Sequence, residues 1–133
     1  MIQTAVAALV IHNNKLLILK RAEDDPVNPK MWSFQGGKVE QGETLEEALR
    51  RELNEETGLE GVVQDLIYAT TIFLKERQLI LLHYLVDVTK TNVTLSNEHS
   101  DYMWVTLDKL EKHLDAVILK DFNQYDVLTK LNK

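Results

Sequence analysis

The chain has 133 residues, a net charge of −6, 44% hydrophobic and 27% charged residues, a globular balance with length for one core and one domain, 1–133, rather than two. The acidic balance argues against a nucleic-acid duplex as partner, because contact with phosphates needs basic groups. There is no cysteine, which excludes disulfides and thiolate chemistry and fits a reducing, cytoplasmic setting.

Thr4 to His12 and Lys15 to Arg21 are β-branched or aliphatic runs joined at Asn13 and Asn14, and they predict a β-hairpin. No basic residue precedes the first run and no small-residue cleavage site follows it, so it is not a signal peptide, and neither run is long enough to span a membrane. Ala22 to Met31 holds three acids and both prolines and predicts a surface loop. Trp32 and Phe34 follow as apolar anchors for a tight Gly36-Gly37 segment that lets backbone approach backbone closely.

Thr44 as N-cap, Glu47 three residues later and Gly58 as a left-handed stop predict a helix over 45–57. At about 100° per residue, Leu45, Ala48 and Leu49 share one face, and that face runs on into Glu52 and Glu56 with Glu55 beside them. Acids at this spacing repel one another and weaken a helix unless a cation sits among them, so the pattern reads either as a solvated acidic face or as a site for a hard divalent metal. Arg51, four residues from both Glu47 and Glu55, is placed to pair with either.

Val62 to Leu74 and Gln78 to Thr89 predict two long strands turning at Lys75 to Arg77, apolar enough to be central and covered on both faces. His83 lies within the second and reads as an ordinary sheet histidine. Val93 to Leu95 and Met103 to Val105 predict short strands around a polar loop, Ser96 to Asp101. Thr106 caps a predicted helix over LDKLEKHL, and a last helix is expected from about Leu119 to Leu131, with Phe122, Tyr125 and Leu128 on one face.

The stretch from Gly37 to Leu59 resembles the signature of the Nudix hydrolases, Gly-x5-Glu-x7-Arg-Glu-U-x-Glu-Glu-x-Gly-U with U a bulky aliphatic. Gly37, Glu43, Arg51, Glu52, Leu53, Glu55, Glu56, Gly58 and Leu59 fill its defined places. One departure from the family's usual approach to this motif is Gln35, where a proline often stands. The resemblance implies an α/β Nudix fold, an α/β/α sandwich with a mixed sheet, and a small nucleotide as substrate. It further implies Mg²⁺ or Mn²⁺ held by Glu52, Glu55, Glu56 and the carbonyl of Gly37. Glu98 in the Ser96 to Asp101 loop is the expected further ligand or general base, with His99 and Asp101 as alternates. Glu52 or Glu98 would take the proton from water and Arg51 would orient the acids, while Lys38 and Arg21 are candidates for contact with phosphate.

The reaction so implied is metal-dependent hydrolysis of a pyrophosphate bond in a nucleoside diphosphate linked to a further group. Small size favours a MutT-like pyrophosphatase acting on a standard or oxidised nucleoside triphosphate. Dinucleoside polyphosphates, nucleotide sugars and a non-catalytic nucleotide-binding module are the alternatives, and a homodimer is compatible with the family. Members acting on ADP-ribose tend to carry a proline a short way beyond the motif; here no proline follows Pro29.

Overall fold

The computed structural model describes residues 1–26 and 29–132. Val27 and Asn28, in the middle of the proline-bearing loop, lie outside the described residues. The first hairpin forms as β1 (Ile2–His12) and β2 (Lys15–Arg21). It turns on Asn13 and Asn14 at φ 50° and 62°, the left-handed conformation that asparagine tolerates best among residues with a side chain.

The two strands stay paired only beside the turn, at Ile11 with Leu16 and His12 with Lys15. Beyond it they diverge, and the segment Trp32 to Lys38 enters the gap as β3 (Trp32–Ser33), paired with β2, and β4 (Gln35–Lys38), paired with β1. This wedge is what the Gly36-Gly37 pair serves: a Cβ on Gly36 would lie 2.1 Å from the carbonyl oxygen of Val6, so only glycine lets β4 sit against β1.

The sheet continues through β5 (Gly61–Phe73), β6 (Gln78–Val88) and β7 (His99–Thr106). β6 runs parallel to β1 and antiparallel to β5, while β7 pairs antiparallel with β2, so β5 and β7 are the two edges. Side chains alternate across β1 and β2. Val6, Ala8, Val10, Leu17 and Leu19 face α1 (Leu45–Thr57) with its Ala48, Leu49 and Leu53. Leu9, Leu16 and Ile18 face a second layer made of a 3-10 segment (Leu107–Lys112), α2 (Ala116–Gln124) and α3 (Val127–Leu131). The result is the α/β/α sandwich with a mixed sheet. Among the described residues, no helix is long and apolar enough to cross a membrane.

Several elements differ from their sequence-based expectation. The last helix breaks at Asp126, whose φ of 53° cannot continue an α-helix, giving α2 and α3 where one helix is expected. Val93 to Leu95 is not a strand: Val93 and Leu95 pack on the α1 core, while the amides of Thr94 and Ser96 donate to the carbonyls of Thr57 and Glu56. His99 to Asp101 belong to β7, which shortens the polar loop to residues 96–98. Thr106 precedes a 3-10 segment with no side-chain cap. β6 is interior, but β5 is an edge strand with Val62, Leu66 and Phe73 exposed; an apolar run does not by itself say on how many sides a strand is paired.

His83 is a buried sheet residue, its ring stacked on Tyr68 at 3.9 Å and 7°. Burial pulls its pKa down to about 4 from 6.5. Because the unfolded chain binds the proton more readily, stability falls as pH drops from 6.5 towards 4, by about 2 kcal/mol at pH 5 from this one group. In His83→Phe the loss of stability between pH 7 and pH 5, measured by urea unfolding, should shrink by about that amount. An unchanged pH dependence would show that His83 is not the group responsible.

Candidate active site

α1 is fixed at both ends. Thr44 Oγ1 accepts from the Glu47 amide at 3.1 Å and the Glu47 carboxylate accepts from the Thr44 amide at 3.0 Å, a reciprocal capping box. Gly58 at φ 72° closes the helix, its amide donating to the carbonyl of Asn54. The axial rotation is set by the buried Ala48, Leu49 and Leu53, and it turns Glu52 and Glu56 towards the β4 wedge.

Glu56 is 3% exposed, and its Oε1 accepts from the Gly36 amide at 2.8 Å. Burial pushes its carboxyl up to about 8, with Glu52 and Glu98 adding to the rise and the Gly36 amide and Arg21 opposing it. Burial likewise raises Glu52, which Arg51 counters, and the charges of Glu55 and Glu98 raise it further. Glu52 lies over Gly37, where a Cβ would come within 2.5 Å of its carboxyl carbon.

Arg51 gathers the acids. Its Nε and Nη2 donate to the two oxygens of Glu43 at 2.7 and 2.9 Å, Nη1 donates to Glu52 at 2.8 Å and meets Glu55 at 3.5 Å, and Nη2 also donates to the carbonyl of Lys38 at 3.1 Å. This bidentate clamp holds the Glu43 carboxyl down at about 2 and keeps the guanidinium charged throughout. The close partners of Arg51 are therefore Glu43 and Glu52, with Glu55 at the margin, and not Glu47, which the helix cap occupies. Glu43 was open to detection in the motif, where it fills a fixed place, but it lies before the helix, so i,i+4 reasoning passes over it.

The other expected site residues are distributed around this centre. Glu98 is exposed; its carbonyl accepts from the Ala22 amide at 3.0 Å, and its charge acts on both Glu52 and Glu56. Arg21, whose charge reaches Glu56, is ion-paired with Asp25 at 2.9 Å. Lys38 is exposed and contributes its carbonyl to Arg51. His99 is buried beside Arg21, and burial together with that arginine lowers its pKa to about 4. Asp101 is exposed on β7, opposite Lys20. Gln35, standing where the family often has proline, is fully buried, and among the described residues no hydrogen bond reaches either of its side-chain amide atoms.

Glu52, Glu55, Glu56, Glu98 and the carbonyl of Gly37 form an all-oxygen donor set, which suits a hard divalent cation. Among the described residues, no three acidic or histidine side chains are drawn together at ligating distance. Arg51 holds Glu52 to its own side, at 2.8 Å. A buried carboxyl lifted to about 8 next to two more acids marks a place short of positive charge.

The family model for the NUDIX domain matches residues 1–125. The nucleoside triphosphatase NudI of Enterobacter sp. (strain 638) is 35% identical, over 81% of this chain and 84% of that protein. NudI of Salmonella typhimurium is 30% identical over the same shares. Among solved structures, a MutT protein from Methanosarcina mazei Go1 superposes with a TM-score of 0.86 at 32% identity, covering 99% of this chain and 96% of that one. An Ap4A hydrolase from C. elegans superposes at 0.77 with 21% identity, over 98% and 95%, a likeness of fold alone. A chain with every defined place of the motif filled, the sandwich it requires and these relatives belongs to the NUDIX family and is a Nudix hydrolase.

Proposed function

We propose that this protein hydrolyses nucleoside triphosphates to a nucleoside monophosphate and diphosphate, using Mg²⁺ or Mn²⁺, with residues 1–133 acting as one unit in the cytoplasm. The observation that carries the reading is the buried Glu56, tied to the Gly36 amide and crowded by Glu52 and Glu98. The relatives named as nucleoside triphosphatases support the substrate class.

A triphosphate repels an incoming nucleophile, so its oxygens must be neutralised before water reaches phosphorus. Glu52, Glu55, Glu56, Glu98 and the Gly37 carbonyl would hold the divalent ion, which supplies that neutralisation and lowers the pKa of water. Glu52 or Glu98 accepts the proton of the attacking water; the water oxygen bonds to phosphorus, the bridging P–O bond breaks, and its electrons leave with the departing phosphate group. Arg51, braced by Glu43, keeps Glu52 and Glu55 oriented. Lys38 and Arg21 would contact phosphate oxygens.

The test is release of diphosphate or phosphate from a panel of standard and oxidised nucleoside triphosphates, dinucleoside polyphosphates and nucleotide sugars, with Mg²⁺, with Mn²⁺ and with chelator. The expected result is metal-dependent conversion of triphosphates to monophosphates, lost in Glu52→Gln and reduced in Glu98→Gln. Faster turnover of dinucleoside polyphosphates or nucleotide sugars would overturn the substrate assignment, and full activity in chelator would overturn the metal.

A further inference from the structure

We infer, on the metal reading of the site proposed above, that Gln35 is a positioning residue of the metal centre. Its side-chain amide, which has no partner within the described fold, donates to the Glu56 carboxylate when a divalent ion is bound there. Gln35 stands where the family often has a proline, which has no polar side-chain atom to offer, so this contact is particular to this chain.

Register puts Gln35 on the side of the sheet that carries α1. Gln35 lies opposite Ala8 and Gly37 opposite Val6, and Ala8 and Val6 both pack into the core beneath α1. Phe34, one residue earlier, faces the other layer, as strand alternation requires. The next amide in the chain, that of Gly36, is the one that holds Glu56 Oε1 at 2.8 Å, and Gly37 after it lies under Glu52. The Gln35 side chain therefore leaves the backbone one peptide from the Glu56 anchor and on the same side of the sheet as Glu56.

Burying an amide without a hydrogen bond costs stability, so buried polar groups are nearly always paired. Gln35 is fully buried. Among the described residues, five of the seven buried side-chain polar atoms without a partner belong to Arg21, Ser33, Gln35 and His99. Ser33 is opposite Leu19 on the α1 side, Arg21 acts on Glu56 through its charge, and His99 is opposite Arg21. The unpaired atoms thus gather on the Glu56 side of the sheet instead of being scattered through the core. Packing alone does not ask for an amide here, because methionine, unbranched and of similar length, would fill the space with nothing left unpaired. The amide makes sense as a donor whose acceptor is completed by the metal. Carboxylates that ligate a metal are themselves held by hydrogen bonds. Glu56 has the Gly36 amide, and Gln35 Nε2 supplies a second donor from the adjoining residue.

The test separates two properties that a packing role would move together. Gln35→Met should melt about 3 °C higher than the wild type in chelator, because the unpaired amide is gone. The same variant should bind Mn²⁺ roughly tenfold more weakly, measured without nucleotide from the electron paramagnetic resonance signal of the free ion. In the wild type, the side-chain amide protons of Gln35 are identified as the glutamine signal that Gln35→Met lacks. They should exchange with solvent more slowly at saturating Mg²⁺ than in chelator. A Gln35→Met that binds Mn²⁺ as tightly as the wild type, or a Gln35 amide whose exchange ignores Mg²⁺, would overturn the role of Gln35 and leave the metal reading standing. A Gln35→Met that melts lower than the wild type would show that the amide already has its partner in the folded chain, which overturns that role as well. A wild type that binds no Mn²⁺ would overturn both.

Discussion

Glu56→Gln is expected to make the metal-free protein more stable and, at the same time, inactive. In the folded chain burial lifts the Glu56 carboxyl to about 8 from 4.5. At neutral pH the folded state holds a proton that the unfolded state has released, and folding works against that uptake. For a carboxyl whose folded pKa is raised, the stabilising contribution is complete below 4.5 and is lost as pH rises towards 8. Glutamine carries no charge at any pH and keeps an oxygen for the Gly36 amide. The variant should gain on the order of 2 kcal/mol at pH 7 in chelator, a gain that disappears near pH 4. Turnover should fall at least ~100-fold, because the amide cannot supply the negative charge a divalent ion needs. Denaturant unfolding in chelator at pH 4, 5.5 and 7, with turnover at saturating Mg²⁺, checks both halves. A destabilised variant would mean that Glu56 is ionised in the folded protein, and an active one would remove Glu56 from the metal site.

What could be read from the sequence separates along physical lines. The bounds of α1 were legible because caps are local: Thr44, Glu47 and Gly58 each act on backbone within one turn of themselves. Asn13 and Asn14 announced the first turn for the same reason. The break at Asp126 was not legible, since Phe122, Tyr125 and Leu128 keep a helical spacing through it, whereas in the fold the chain turns at Asp126, Val127 and Leu131 enter the core and Leu128 is left exposed. β5 shows a similar limit, because its composition suits a central strand and only the topology makes it an edge.

At the site, the acids of the α1 stripe were legible from one helix period. The clamp between Glu43 and Arg51 spans a turn whose path the spacing does not encode, and Glu98 approaches from the far end of β2 through its contact with Ala22. The spatial relation of those groups comes from the wedge of β3 and β4 between β1 and β2, a long-range arrangement that no local pattern announces.

That wedge makes two neighbouring glycines respond in opposite ways to the same change. In Gly36→Ala the new methyl meets the carbonyl oxygen of Val6 at 2.1 Å and the Cα of Ala7 at 2.9 Å. Both are backbone in the centre of the sheet and neither can give way without parting β4 from β1. The Glu56 anchor would go with them, since it hangs from the Gly36 amide. The expected loss is about 3 kcal/mol or more, at the upper end of what overpacking costs. In Gly37→Ala the three nearest atoms to the methyl all belong to the carboxylate of Glu52, at 2.5 Å for its Cδ and Oε1. A side-chain end can rotate away, so the fold should survive with a melting temperature within a few degrees of the wild type. The carboxylate, however, is pushed from its place between Arg51 and the Gly37 backbone, and a displacement of about 1 Å at a reacting centre is worth about 100-fold in rate. Thermal unfolding and kcat/KM measured on both variants test this directly. A stable, active Gly37→Ala would show that the position of Glu52 does not matter to turnover, and a stable Gly36→Ala would show that β4 can move off β1 at little cost.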